Sequence, residues 1–180
     1  MRFATARDVL LAYPQIAIAF QSRLDDTPSS AYVDKLVAQG QWADAIAFIA
    51  HLLPRREAVW WAAQCVRKEP KAFTIQEEPL VAAAEGWVRE PSEANRKAAL
   101  VLGDAANAMR AAVWVTRAAG WSGGVLYEVD DTKIMCQPHM SPAAARGAVM
   151  LAAAAASDPR AFLGGCVGDA KTLLGRLPVQ

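Results

Sequence analysis

Two residues in the second half of the chain have the spacing of half a zinc site. The segment Cys136-Gln137-Pro138-His139 places a thiol and an imidazole three residues apart. The other candidate ligands, His51, Cys65 and Cys166, each fall on a predicted helix without a second ligand three or four residues away. We therefore expect a loop cysteine and a surface histidine here, with no bound metal and no cofactor.

Catalytic groups are equally sparse. With only His51 and His139 present, a Ser or Cys nucleophile has few possible bases. His51 lies between apolar helix residues, which favours a hydrogen-bonded structural role. The adjacent acids Glu77-Glu78 are typical of the first turn of a helix, and Asp130-Asp131 indicates a turn. Since no phosphate-binding glycine motif occurs either, we predict no catalytic residues.

Tryptophan is the unusual residue type, with six in 180 residues. Trp60 and Trp61 are neighbours on a predicted helix and lie about 100° apart, so one ring can fill the core while the other meets its edge or another surface. Two core rings are the alternative. Arg55 and Arg56 precede them in a first turn, where the helix dipole disfavours cations. They either answer a carboxylate of this chain or of a partner, or are solvated. Together with Trp121 these four form the candidate protein-contact set.

The composition excludes several classes of protein. The chain is 54% apolar and 21% charged with a net charge of +1, which indicates a folded domain and no nucleic-acid partner. The longest apolar run, Val149 to Ala156, is far shorter than the roughly 20 residues of a membrane span. Three irregularly spaced cysteines predict a reducing compartment, and no signal peptide is evident. We expect a cytoplasmic protein without a membrane partner.

Alanine, the strongest helix former, is the commonest residue, and Pro and Gly divide the chain into segments. The pattern predicts one all-α domain over residues 1–180, an irregular bundle or stack of helical hairpins with about seven to nine helices. Gly103 and Asp104 are expected to kink or divide a helix, with a helix continuing over Ala105 to Ala119. Residues 121–141 are predicted as one long loop, in which Val125-Leu126-Tyr127 could form a short strand.

Three segments resemble a known family. Leu53-Pro54-Arg55-Arg56-Glu57-Ala58-Val59-Trp60-Trp61-Ala62 resembles the LPxREAVWWA signature of an uncharacterised bacterial family of small helical proteins. Trp121-Ser122-Gly123-Gly124 and the segment 146–152 resemble its second and third landmarks. The resemblance implies a domain of unknown function, associated with type VI secretion gene clusters, and supplies no catalytic residues. The family's loop is richer in proline than Val125 to Pro138, so a partner of that loop could differ here.

Three functions are compatible with these patterns. The first is a non-enzymatic adaptor or chaperone-like accessory protein that binds another protein, in a bacterial secretion system. The second is a small enzyme that uses Cys136, His139 or the acidic residues of the 121–141 loop. The third is a homodimer packed through the Ala-rich helix from Pro142 to Ala156.

Overall fold

The computed structural model describes residues 3–16, 25–106 and 109–177, and these are almost entirely helical. The all-α prediction is therefore confirmed. In chain order the elements are α1 (Ala6–Ala12), α2 (Ser29–Ala38), α3 (Trp42–Leu52), α4 (Arg55–Lys68), a 3₁₀ helix (Ile75–Glu77), α5 (Glu78–Arg89), α6 (Glu93–Ala105), α7 (Ala111–Gly120), β1 (Val125–Val129), β2 (Thr132–Met135), α8 (Met140–Ala155) and α9 (Pro159–Arg176). Side-chain caps begin two of the helices, since Ser92 and Asp158 accept backbone hydrogen bonds at the starts of α6 and α9.

Two helices form the centre of the molecule. Helix α8 packs against α3, α4, α7 and α9, and helix α7 packs against α4, α5 and α6. From α2 to α9 each helix also contacts the next one along the chain, which makes the fold a stack of helical hairpins around α7 and α8. Side chains from α1 to α9 contribute to a single hydrophobic core.

The Ala-rich helix α8 is an interior element. Its alanines at positions 144, 145, 148, 152 and 153 are at most 2% exposed. A methyl side chain lets neighbouring backbones approach closely, and this explains how one helix can contact four others. Much of the alanine face that the homodimer hypothesis uses is thus covered by the chain's own helices, while Ala143 and Ala154 are exposed.

The segment 121–141 is not one long loop, and that prediction was wrong. Strands β1 and β2 pair antiparallel in a hairpin, with Tyr127 opposite Ile134 and Val129 opposite Thr132, and the register shifts between Val125 and Tyr127. The two-residue turn is Asp130-Asp131, both with positive φ (47° and 63°). Asn-Gly is the usual sequence for such a turn, so an Asp pair gave no clear signal of a hairpin.

The helix is divided just after Gly103 and Asp104, close to the predicted position, but the second helix begins later than the predicted Ala105. Helix α6 continues through Gly103 to Ala105, and α7 begins only at Ala111. A Cβ atom at position 103 would lie 3.0 Å from the Cγ atom of Arg117, whose Nε donates to the Gly103 carbonyl at 3.1 Å. This glycine therefore serves a close approach of α7 to α6 and does not end a helix.

A buried arginine joins α6, α7 and the hairpin. Arg96, only 3% exposed, donates from Nη1 to the Gly120 carbonyl at 2.7 Å and from Nη2 to the Val125 carbonyl at 3.0 Å. Glu93, one turn earlier, accepts two further bonds of 2.7 Å and supplies the opposite charge. Gly124 packs on the same guanidinium with a φ of +67°, a conformation that favours glycine. Arg96 thus holds both ends of the turn between α7 and β1.

Replacing Gly120 by Ala should destabilise the fold. The new Cβ would lie 2.7 Å from the Leu100 Cα, so α6 and α7 must separate where they are closest. We expect a loss of about 1–3 kcal/mol in the free energy of unfolding, measured by urea denaturation. Gly165→Ala is the matched control, since nothing lies within 4 Å of its added methyl group and alanine favours a helix. Equal losses in both variants would contradict the close-contact explanation.

Replacing Arg96 by Leu should lower the free energy of unfolding more than Gly120→Ala does, and it should also destabilise the hairpin. The Gly120 and Val125 carbonyls lose their donor, and we expect a loss of about 3 kcal/mol together with faster amide exchange in β1 and β2. Lys97→Leu is the control, because Lys97 is exposed and 3.9 Å from the same Glu93. Its expected change is below about 0.5 kcal/mol. Unaltered exchange in the hairpin of the Arg96 variant would argue against this anchoring role.

Candidate protein-binding surface

Arg55 is exposed, but its guanidinium is bound to the backbone of its own chain. Its Nη1 donates to the Ser122 carbonyl at 2.8 Å, so the first turn of α4 is bound to the turn after α7. The first two sequence landmarks, far apart along the chain, meet at this bond. Of the two predicted alternatives, a carboxylate partner or a solvated side chain, neither describes this bond, since Arg55 donates to a backbone carbonyl of the same chain. Arg55 consequently orients the turn that follows α7. One of its N–H donors is used in this bond, so fewer remain for a partner than in a fully solvated arginine.

Trp121 belongs to an aromatic cluster that is half-buried. Its ring meets Trp114 edge to face at 6.1 Å, and the Arg117 guanidinium lies 5.5 Å and 5.8 Å from the two ring centroids. Gly147, from the third landmark, packs on Trp114, since a Cβ there would lie 3.2 Å from its ring. Both indole nitrogens are buried without an acceptor among the described residues. Most of Trp121 is thus committed to packing between α7, α8 and the turn.

The two adjacent tryptophans of α4 have opposite environments. Trp61 is 2% exposed and donates from Nε1 to the Cys166 carbonyl on α9 at 2.9 Å. Trp60 is 39% exposed. The structure therefore assigns Trp61 to the core, which removes it from the candidate contact residues, and leaves Trp60 as the ring that a partner can reach. The sequence allowed this arrangement but could not say which of the two rings points inward.

Trp60 forms the wall between two adjoining grooves, which we call the Trp60 surface. The first groove, between α4 and α5, has a volume of about 320 Å³ and is lined by Arg56, Glu57, Trp60, Val88, Arg89 and Leu173. The second, between α4 and α9, has a volume of about 280 Å³ and includes Trp60, Lys68, Asp169, Leu173 and Arg176. Because Trp60 and Leu173 line both grooves, one apolar ridge with cationic flanks faces solvent.

The charge of the Trp60 surface is mainly positive. Arg56, Arg89 and Arg176 are exposed, and none of them is within 4.0 Å of a carboxylate in the part of the chain that the structure describes. Arg56 Nε donates to the Val88 carbonyl at 2.6 Å, which orients its guanidinium along the groove. Lys68 is already paired with Asp169, and this hydrogen bond raises the pKa of Lys68. Three arginines thus remain without a neutralising partner.

The residues proposed for chemistry are placed unfavourably for catalysis. Burial raises the pKa of the Cys136 thiol, whereas a nucleophilic cysteine needs a lowered pKa. His139 Nδ1 lies 3.5 Å from the Gln15 side-chain amide. His51 is 2% exposed and donates from Nδ1 to the Ala47 carbonyl at 2.8 Å, and burial lowers its pKa to about 4. The predicted structural role of His51 is confirmed.

The described residues contain no group of three His, Cys, Asp or Glu side chains arranged to hold a metal ion. Within the same residues, no helix combines the length and the apolar character that crossing a membrane requires.

Sequence reasoning missed two sets of exposed residues. Arg89 and Arg176 were not singled out, because basic residues in the last turn of a helix are expected from the helix dipole alone. The exposed hairpin side chains Val129 and Ile134 were assigned to a loop, and only Val125-Leu126-Tyr127 was considered as a possible strand; Tyr127, Val129 and Ile134 are between 47% and 56% exposed. Alternation of Val125, Tyr127 and Val129 was the signal that could have identified them.

Comparison with known proteins places the chain in a family. No curated protein and no solved structure gave a match. A protein-family model described as "Family of unknown function (DUF6931)" matches residues 32–172, which includes Trp60, Arg56 and Arg89. This range is well over half of the 180 residues. The expectation of a domain family of unknown function is thereby confirmed, and the chain belongs to the family of unknown function DUF6931.

Proposed function

We propose that this protein is a non-enzymatic adaptor that binds a partner protein through the Trp60 surface. The observation that carries the proposal is a 39% exposed tryptophan between two grooves, flanked by three arginines that pair with no carboxylate among the described residues. Such a surface suits a partner segment that presents apolar side chains together with carboxylates. Trp and Arg are the residues that most often dominate the free energy of protein association.

The Trp60 surface is held rigidly, which reduces the entropy lost on binding. Trp61, the next residue on α4, is fixed in the core by its bond to Cys166, so the helix that carries Trp60 cannot turn freely. Arg56 is oriented by the Val88 carbonyl. A preorganised ring and guanidinium give up little conformational freedom when a partner covers them. These two anchors favour a binding role for the surface.

The cellular setting of the adaptor is part of the proposal. The resemblance of residues 53–62, 121–124 and 146–152 to a bacterial family associated with type VI secretion gene clusters supports a partner from a secretion system. Three cysteines, of which Cys65 and Cys166 are buried free thiols, support a reducing compartment such as the cytoplasm. An accessory protein of this kind would hold an acidic segment of a secretion component.

A short amphipathic peptide tests the proposed binding mode. We expect a labelled helical peptide with one Leu face and flanking Glu residues to bind the full chain, and its Lys-substituted counterpart to bind far more weakly. Trp60→Ala should lower the affinity about 30-fold, equivalent to about 2 kcal/mol, because the buried ring area is lost. Fluorescence anisotropy measures both affinities.

Two further variants separate binding from folding. Val101→Ala removes an exposed apolar side chain outside the Trp60 surface and should leave the affinity unchanged. Trp61→Ala should instead destabilise the free protein by about 3–5 kcal/mol. Thermal unfolding of Trp60→Ala close to that of the parent completes the comparison. Equal affinity of the peptide for the parent and for Trp60→Ala would refute the proposed site.

A further inference from the structure

The tip of the β-hairpin is an acidic and apolar projection. Residues 127–132 include Glu128, Asp130 and Asp131, and the Val129 side chain is 56% exposed. Glu128 lies on β1 opposite the cationic Lys133 of β2. Asp130 and Asp131 form the turn itself. Neither makes an ion pair with another of the described residues.

The turn sequence is a poor choice for folding alone. Asp130 and Asp131 both adopt positive φ, which Gly or Asn adopts at lower cost. An Asn-Gly turn would close the same hairpin more favourably. The left-handed backbone of this turn thus carries a pair of exposed carboxylates where Gly would leave none.

The tip and the Trp60 surface are complementary within one sequence. The tip offers carboxylates beside exposed Val129, and the Trp60 surface offers Arg56, Arg89 and Arg176 beside exposed Trp60. The base of the hairpin is bound to α6 through the bond from Arg96 to Val125, and Tyr127 lies 3.4 Å from Asp104 on the same helix. No residue of the hairpin lines either groove. The tip therefore does not occupy the Trp60 surface of its own chain, and its side chains remain exposed.

We propose that the hairpin tip of one copy docks into the Trp60 surface of a second copy, so that the chain associates head to tail. This inference rests on the proposed function, since it names an occupant of the same surface. Each copy has one tip and one Trp60 surface, and such a contact is heterologous, forming open chains or rings. An acidic segment of a partner protein would compete with the tip for the surface.

Self-association should depend on concentration, salt and the turn residues. We expect sedimentation velocity of the full chain to show species larger than the 19.3 kDa monomer in about 0.05 M NaCl, dissociating in about 0.5 M NaCl as the charges are screened. D130N/D131G should be monomeric under both conditions. Because Asn-Gly suits the turn, its melting temperature should equal or exceed that of the parent. Loss of assembly in this variant therefore reflects the missing carboxylates and not unfolding.

Mixing two defective variants gives the decisive result. D130N/D131G retains an intact Trp60 surface, and W60A/R89E retains an intact tip. Each should be a monomer alone, and the mixture should form a 1:1 pair that grows no further, since only one complementary contact remains. Assembly of D130N/D131G like the parent, or a mixture that stays monomeric while both variants are folded, overturns the proposal.

The peptide experiment distinguishes failure of the self-docking proposal from failure of the proposed function. Monomers throughout, together with binding of the Glu-containing peptide at Trp60, would reject the self-docking and leave the adaptor function standing. Tip-dependent association that persists in W60A/R89E would reject the Trp60 surface as the receptor of the tip. A peptide that fails to bind while the mixed variants pair would reject the general acidic-partner function and retain self-docking.

Discussion

The buried guanidinium of Arg96 is the interaction on which the arrangement of the second half of the chain depends. It donates to carbonyls on both sides of the Trp121-Ser122-Gly123-Gly124 turn, one at the end of α7 and one at the start of β1. Burying a charge is favourable only if its hydrogen bonds are satisfied, and Glu93 and the two carbonyls provide this. Arg55 reaches the same turn from α4. One turn thus fixes α4, α6, α7 and the hairpin relative to one another.

Small residues allow α6, α7 and the turn after α7 to pack closely. Gly120 places α7 against the backbone of α6 at Leu100, and Gly124 lies on the Arg96 guanidinium. The alanines of α8 extend the same close packing across the centre of the fold. Large side chains fill the core beside these alanines, with Trp61 and Phe48 the largest that are buried. Trp114 and Trp121 are half-buried and pack edge to face beside the turn.

The sequence predicted the helices well because alanine-rich segments between Pro and Gly have few alternatives to a helix. It failed at the hairpin because a turn of two aspartates lacks the Asn-Gly signal. It failed at Arg96 because an arginine in the first turns of a helix looks like any surface cation. Burial of Arg96 follows only from the positions of Gly120 and Val125, which are distant in sequence. Half of the candidate surface was predictable from the sequence, since Trp60 and Arg56 were identified. Arg89 and Arg176 come close to Trp60 only in the folded chain.

The Trp60 surface and the hairpin tip differ in how firmly the fold holds them, because different elements support them. Trp60 projects from a helix whose next residue is locked in the core, so the receptor surface is rigid. The hairpin has two short strands, and a two-stranded sheet of this length is marginally stable by itself. Its base is fixed by Arg96, and the tip carries exposed side chains at the far end of the two strands. A groove on a core-anchored helix and a tip on a hairpin anchored at its base suit reversible association, because the groove is already ordered before contact.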